Sequence, residues 1–99
     1  ETMIADLIAR MTIEEKVGQL QLLQGGGRWV PEHLRDAIRA GRVGAVLNEV
    51  DVDAVNELQR IAVQESRLGI PLLIGRDVIH GFKTVFPIPL GQAATWDPA

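Results

Sequence analysis

The sequence predicts an α/β fold that forms the opening part of a larger (β/α) domain. Two short apolar segments, residues 43–48 and 71–75, each follow a glycine that ends a helical pattern, as buried parallel strands do. Between them, residues 51–68 carry apolar side chains at the spacing of a helix face. A strand, a helix and a strand in this order form a βαβ unit with parallel strands. Two such strands leave both sheet edges unpaired, so we expect the chain to be incomplete as a stand-alone fold.

Residues 2–24 are predicted to form leading helices. Apolar side chains recur at three- and four-residue spacing through the first of them. Thr12 and Glu15 then have the spacing of a capping box, in which each side chain accepts a hydrogen bond from the other residue's amide. The second helix is predicted to end at the glycine run 25–27.

The rest of the chain alternates helices and strands. The next helix is predicted at 31–40, where a proline starts it and Gly41 ends it. The elements that follow are strand 43–48, helix 51–68, strand 71–75 and a mostly extended rim loop, 76–99.

Composition excludes several classes of function. The net charge is −3, with acids and bases interspersed, so no basic stripe indicates a nucleic acid or an anionic membrane surface as partner. The chain has no cysteine, which excludes disulfides, cysteine-ligated zinc and a thiol nucleophile. No apolar run approaches the roughly 20 residues that a membrane-spanning helix needs.

Three ionisable residues lie within the five residues after the strand at 71–75: Arg76, Asp77 and His80. Functional groups gather at the carboxyl ends of parallel strands, which makes this rim the candidate site. The Asp77 carboxylate has the geometry to accept two hydrogen bonds from vicinal sugar hydroxyls. Alternatively, it ties down its own loop by accepting backbone amides. Position alone favours neither interpretation.

The other two rim residues are predicted to support the site. Asp77 and His80 have the spacing of metal ligands, but no third ligand lies at a suitable spacing, so neither a metal nor another cofactor is predicted. His80 is expected to bond a neighbouring loop or carboxylate and so position the rim. Arg76 is expected to pair with a nearby acid in preference to a substrate.

Other candidates have structural explanations. The glycine run 25–27 follows a predicted helix and lacks the Lys-Ser/Thr ending of a phosphate-binding loop, so a flexible connection is favoured. Trp29 and Trp96 could stack on sugars, although packing is the commoner role of a single tryptophan.

The glutamates do not form an evident catalytic pair. Glu14, Glu15 and Glu65 have solvent-facing or capping explanations on helices, whereas Glu49 follows the first strand at its functional end. Glycoside chemistry needs two carboxyl groups about 5–10 Å apart, and no pair is convincingly placed for it. We therefore assign no catalytic residue to this chain.

Four blocks of the sequence resemble one enzyme family. They are residues 11–20 (MTIEEKVGQL), 41–48 (GRVGAVLN), 56–75 (NELQRIAVQESRLGIPLLIG) and 76–91, which contains RDVIHG and TVFPIPLG. In this order they resemble the N-terminal part of glycoside hydrolase family 3, the β-glucosidase and β-xylosidase family.

The resemblance implies a fold and a site. Residues 1–99 would be the N-terminal segment of a (β/α)8 (TIM-type) barrel, about its first quarter. Asp77 matches an aspartate that binds hydroxyls of the terminal sugar in the −1 subsite, and His80 matches a motif histidine with a supporting role. The family's nucleophile, in a Ser-Asp-Trp-like segment, its Lys-His-Phe motif and its acid–base residue have no counterpart in this sequence.

The functional hypothesis is therefore part of a retaining, exo-acting β-glycosidase. Its partners would be a β-linked oligosaccharide or aryl glycoside and the remainder of the barrel, as the same or a separate polypeptide. The resemblance favours a periplasmic or secreted enzyme, with a cytoplasmic one left open, and does not choose between glucoside, xyloside and N-acetylglucosaminide. The alternatives are a catalytically inert fragment that folds only by docking onto that remainder, and a stand-alone sugar-binding module.

Overall fold

The computed structural model describes residues 2–98, which form a three-stranded parallel sheet in the order β1-β2-β3 with connecting helices. The strands are β1 (Leu22–Gln24), β2 (Ala45–Leu47) and β3 (Leu73–Gly75). The helices are α1 (Thr2–Arg10), α2 (Ile13–Gly18), α3 (Glu32–Arg39), α4 (Val52–Gln64) and α5 (Pro89–Ala93). The mixed α/β class predicted from sequence is confirmed, and Glu1 and Ala99 lie outside the described residues.

The core lies between one face of the sheet and the helices α3 and α4. Leu23, Val46 and Ile74 are paired across the three strands, and they belong to or pack against the buried cluster. The helices contribute the other large side chains of the cluster: Leu34, Ile38, Leu58 and Ile61. Each such side chain contributes about 1.5–3 kcal/mol through removal of its surface from water. This layer fixes the sheet against its crossover helices.

Residues 22–24 form a strand, so the prediction that helices extend over 2–24 is wrong at its end. Helix α2 stops at Gly18, and the amide of Ala45 donates to the carbonyl of Gln21 at 3.1 Å, which starts the pairing of β1 with β2. The run at 20–23 is short and apolar except for Gln21, and such a run fits a helix or a strand equally well by periodicity. The neighbouring strand decides the outcome, and the sheet gains a third strand that sequence did not predict.

Two further differences from the prediction are larger than the shifts of one or two residues at the ends of α3, β2 and β3. The helix predicted at 51–68 begins after Asp51, whose side chain accepts from the Ala54 amide at 3.1 Å, but ends at Gln64. The rim loop predicted at 76–99 contains the short helix α5, because a proline at its first position has the backbone angle that starts a helix. The remaining described residues of that loop belong to no other helix and to none of the three strands.

Candidate functional site

The candidate site lies along the edge of the sheet where the strands end. Register places Gln24, Leu47 and Gly75, the last residues of β1, β2 and β3, side by side. Because the strands are parallel, the residues that follow them emerge at this same edge. The structure thus brings the segments after all three strands together, and Asp77 lies in the last of them.

Asp77 presents its carboxylate at this edge without a partner among residues 2–98. The residue is exposed, and its amide donates to Oδ1 of Asn48 at 3.0 Å. Within residues 2–98 its carboxylate accepts no hydrogen bond and forms no ion pair. Among the described residues, the Asp77 carboxylate therefore does not tie down its own loop by accepting from backbone amides. The carboxylate is available to a ligand.

Arg76 and His80 are placed differently from their predicted roles. The guanidinium of Arg76 lies 4.5 Å from the ring centroid of Phe82, a cation–π contact, and forms no ion pair with an acid in residues 2–98. The carbonyl of His80 accepts from the amide of Phe86, and Gly81 forms a bridge with Val85. His80 supports the rim through its main chain, since its exposed imidazole bonds no group within residues 2–98.

Glu49 lies at the same edge but is buried, with 3% of its surface exposed. Its Oε1 accepts from the amides of Val50 at 3.0 Å and Asp51 at 3.2 Å, which holds the chain that leads into α4. A Cβ on Gly25 would lie 2.9 Å from the Cβ of Glu49, so the loop after β1 lies close against it. Glu49 therefore anchors the loop in this structure, although its Oε2 has no partner among the described residues.

The glycine run 25–27 follows a strand, and not a helix as predicted. The amide of Gly25 donates to the carbonyl of Leu47 at 2.7 Å, which continues the pairing of β1 with β2. The loop still lacks the Lys-Ser/Thr ending of a phosphate-binding loop. Trp29 is 75% and Trp96 is 92% exposed, so the prediction that these side chains pack against the described chain is wrong.

The acids at the opposite ends of the strands are paired with arginines. The capping box predicted for Thr12 and Glu15 is present, with bonds of 3.2 and 2.8 Å. Glu15 also accepts from Arg67, whose Nε lies 2.9 Å from Oε1. Its hydrogen bonds to the Arg67 side chain and to the Thr12 amide lower the pKa of Glu15 from 4.5 to about 2. Glu15 is thus held ionised for a structural role.

A second network of acids and arginines joins α3 to α4 and to the chain just after it. Glu65 accepts from Arg39 at 2.6 Å and from Arg60 at 2.7 Å, and these bonds lower the pKa of its carboxyl. Arg60 also bonds Glu57 at 2.8 Å, and the pKa of Glu57 is lowered as well. Glu65, the residue that follows α4, is therefore part of an ion-pair network and has a structural role.

The described part of the chain carries no evident metal or membrane feature. No group of three or more histidine or acidic side chains in residues 2–98 is arranged to hold a metal ion. No helix within the same residues has the length and apolar character to cross a membrane.

Asn48 is a site residue that the sequence does not single out. Its side chain contacts Asp77, which lies 29 residues further along the chain, so no local pattern reveals the bond. The available signal is a polar residue directly after a buried strand, at the same edge as the predicted rim.

Comparison with known proteins identifies the family. Residues 12–99 match the model of the glycosyl hydrolase family 3 N terminal domain. The chain belongs to glycosyl hydrolase family 3. The resemblance seen in its sequence blocks is thereby confirmed, and the matched region of this family 3 chain begins at the N-cap of α2, after α1.

Two curated relatives are similar over 98% of the chain. The chain is 40% identical over 97 residues to a periplasmic beta-glucosidase of Salmonella typhimurium. It is 25% identical over 125 aligned residues to a lysosomal beta glucosidase of Dictyostelium discoideum. The chain spans 13% of the first relative and 15% of the second.

Proposed function

We propose that the chain is the N-terminal part of a retaining, exo-acting β-glycosidase that hydrolyses terminal, non-reducing β-D-glycosyl residues. In this proposal Asp77 binds hydroxyls of the terminal sugar in the −1 subsite. The observation that carries it is the exposed carboxylate of Asp77, which pairs with no group in residues 2–98 and lies beyond the carboxyl end of β3 in a family 3 chain. The names of the two relatives, both beta-glucosidases, support the same reaction.

The chemistry of Asp77 suits a sugar. An ionised carboxylate only accepts hydrogen bonds, and its two oxygens match two neighbouring hydroxyl donors. A hydrogen bond to a charged group contributes about 1.5–3 kcal/mol. Such bonds raise the rate of glycoside cleavage when they strengthen as the sugar ring flattens towards its oxocarbenium-like transition state. Asp77 therefore acts in binding, and the nucleophile and acid–base residue lie outside this chain.

The proposed completing partner is the remainder of a (β/α)8 barrel. On the face of the sheet away from the core, Leu22 is 54% and Leu73 is 75% exposed. Among residues 2–98 the outer edges of β1 and β3 pair with no further strand. Further parallel strands would bury this face and satisfy both edges. Until they are present, the chain is expected to be catalytically inert.

The proposed substrates are β-linked oligosaccharides and aryl β-glycosides. The proposed location is the periplasm or the cell exterior, supported by the name of the Salmonella relative.

The test of the proposal is the substitution Asp77→Asn in the complete polypeptide that carries this chain. The amide keeps the shape of the side chain but removes its charge and one acceptor, so kcat/KM for an aryl β-glucoside should fall about 100-fold or more. Asp53→Asn is the matched control, because Asp53 is also exposed but lies in the first turn of α4. An unchanged kcat/KM in Asp77→Asn would remove Asp77 from sugar binding.

A second candidate function is a non-catalytic piece that folds only on the remainder of the barrel. The observation that favours it is the exposed apolar surface of α1, which includes Met3, Ile4 and Ile8. None of the residues of α1 is buried against the rest of the described chain. Size-exclusion chromatography and circular dichroism of the isolated chain decide it. A monomer that melts cooperatively would contradict this function.

A further inference from the structure

We propose that Asn48 is a positioning residue, which fixes the main chain of Asp77 by extending the pairing of β2 with β3 through its side chain. This inference rests on the proposed role of Asp77 in sugar binding. It concerns Asn48, a residue at the same edge that the sequence does not single out.

The hydrogen bonds of Asn48 complete a parallel ladder. The register pairs Leu47 with Gly75, which puts Asn48 opposite Arg76. In a parallel ladder, a residue in the position of Asn48 donates its amide to the carbonyl of the residue before its partner. Its own carbonyl accepts from the amide of the residue after its partner. The Asn48 amide does donate to the Gly75 carbonyl, at 2.8 Å.

The second bond of this ladder unit is made by the side chain. The amide of Asp77 donates to Oδ1 of Asn48 at 3.0 Å, where a regular strand would offer the main-chain carbonyl. The backbone of Asn48 has a φ of 65°, so the chain turns away from β3 at this residue. The side-chain amide carbonyl therefore replaces the main-chain carbonyl that the turn removes.

This arrangement explains why the position carries asparagine. Asparagine tolerates positive φ better than most residues with a side chain, and its amide oxygen acts as a backbone-like acceptor. Glycine would satisfy the backbone angle but would supply no acceptor. Alanine would supply no acceptor and would add backbone strain.

Asn48 also contacts the end of β1, so it links all three strands at the site. Its Nδ2 lies 3.5 Å from Oε1 of Gln24, a long and weak hydrogen bond. This contact requires the amide orientation in which Oδ1 faces Asp77. Asn48 itself is half-buried at the end of β2, whereas its bond to Asp77 lies at the exposed rim.

The consequence concerns the orientation of the Asp77 carboxylate. With its amide bonded to Asn48, the main chain of Asp77 is held to the rigid end of the sheet. Without that bond, the nearest bond in residues 2–98 that holds this segment to the sheet is the one from the Asn48 amide to the Gly75 carbonyl, two residues before Asp77. The carboxylate would then sample orientations in which it misses one of two sugar hydroxyls, and this loses transition-state binding.

The test uses the complete enzyme with Asn48→Gly, which allows the same backbone angle and removes the acceptor together with the weak contact to Gln24. We expect kcat/KM for an aryl β-glycoside to fall about tenfold, and amide hydrogen exchange in the peptide that contains Asp77 to accelerate about tenfold. Asn48→Asp keeps an acceptor oxygen at the same reach, so its exchange should stay close to that of the parent. Gln24→Ala is the matched control, for which we expect a change of less than threefold in kcat/KM.

A double-mutant cycle separates positioning from general stability. The loss caused by Asn48→Gly should largely disappear when Asp77 is already alanine, because Asn48 then has no carboxylate to orient. An equal loss in both backgrounds, or an unchanged exchange rate in Asn48→Gly, would overturn the inference. If the complete enzyme hydrolyses no β-glycoside, the proposed function fails, while the exchange measurement still decides whether Asn48 holds the Asp77 main chain.

Discussion

The two ends of the sheet use acidic side chains in opposite ways. Below the amino ends of the strands, the Glu15 carboxylate is buried and bonded to Thr12 and Arg67. Beyond the carboxyl end of β3, the Asp77 carboxylate is exposed and bonded to no described residue. In α/β barrels the first end is the one that stabilises the fold, and the second is the one that binds and reacts.

The contrast shows that pairing and position in the fold together, and not the residue type, separate structural acids from candidate functional ones. Arg67 joins Glu15 across 52 residues of sequence and also donates to the carbonyl of Arg10 at 2.8 Å. These bonds connect the leading helices to the segment before β3. The pairing that satisfies Glu15 also removes it from any chemistry, whereas Asp77 remains available.

The largest expected effect comes from close backbone packing at the amino end. A Cβ on Gly44, just before β2, would overlap the main chain of Gln19, so the backbone has to move. We expect Gly44→Ala to destabilise the protein by about 1–3 kcal/mol, as overpacking of a tight site does. The measurement is the denaturant midpoint of unfolding.

Gly75→Ala is the matched variant at the carboxyl end. Its Cβ would lie 3.5 Å from the nearest side-chain atom, Leu47 Cδ1, which is an ordinary contact. Its effect on stability should stay within about 0.5 kcal/mol. If both alanines destabilise the protein equally, the two ends do not differ in packing as the contrast requires.

A smaller effect is expected when the amino-end ion pair is broken. Arg67→Ala leaves the Glu15 carboxylate with its bond from the Thr12 amide but without its guanidinium partner. The melting temperature of the complete enzyme should fall, while kcat for an aryl β-glycoside should remain within about twofold of the parent value. This is the reverse of the pattern expected for Asp77→Asn.

Arg67→Lys is the conservative control for that variant. Lysine keeps the charge but cannot form the two-nitrogen bond that the guanidinium makes, so it should restore only part of the melting temperature. A kcat that falls together with the melting temperature in either variant would show that the amino end also contributes to the reaction.

Sequence predicted those parts of the molecule that depend on local pattern. The capping box of Thr12 and Glu15, the helices α3 and α4 and the strands β2 and β3 follow from residue spacing and from glycine and proline positions. The location of the candidate site, where the strands end, follows from the prediction that the strands are parallel. Strand β1 could not be predicted, because its short apolar run becomes a strand only through pairing with β2.

The partners of side chains were predictable only when they were close in sequence. Glu15 and Arg67, like Asn48 and Asp77, are brought together by the fold from distant positions. Arg76 was expected beside an acid, but the nearby ring of Phe82 provides its contact instead. A charged residue in a loop has several possible partners, and only the packed chain selects among them.

The smallest expected effect is the acid dependence of the Glu15–Arg67 pair. The pKa of Glu15 is lowered from 4.5 to about 2 in the folded chain, so the unfolded chain binds a proton more readily between these values. The stability that the pair contributes is therefore fully present above about pH 4.5 and is lost as the pH falls towards 2.

The measurement compares the parent protein and Arg67→Ala by denaturant midpoint between pH 7 and pH 2. The difference in stability between them should be constant above pH 4.5, narrow below it and be smallest at pH 2, where the bond of Arg67 to the Arg10 carbonyl still contributes. Glu57 and Glu65 also have lowered pKa values, but they occur in both proteins and cancel in the comparison. A difference that stays constant down to pH 2 would mean that Arg67 stabilises the amino end through packing and its bond to the Arg10 carbonyl, and not through the charge of Glu15.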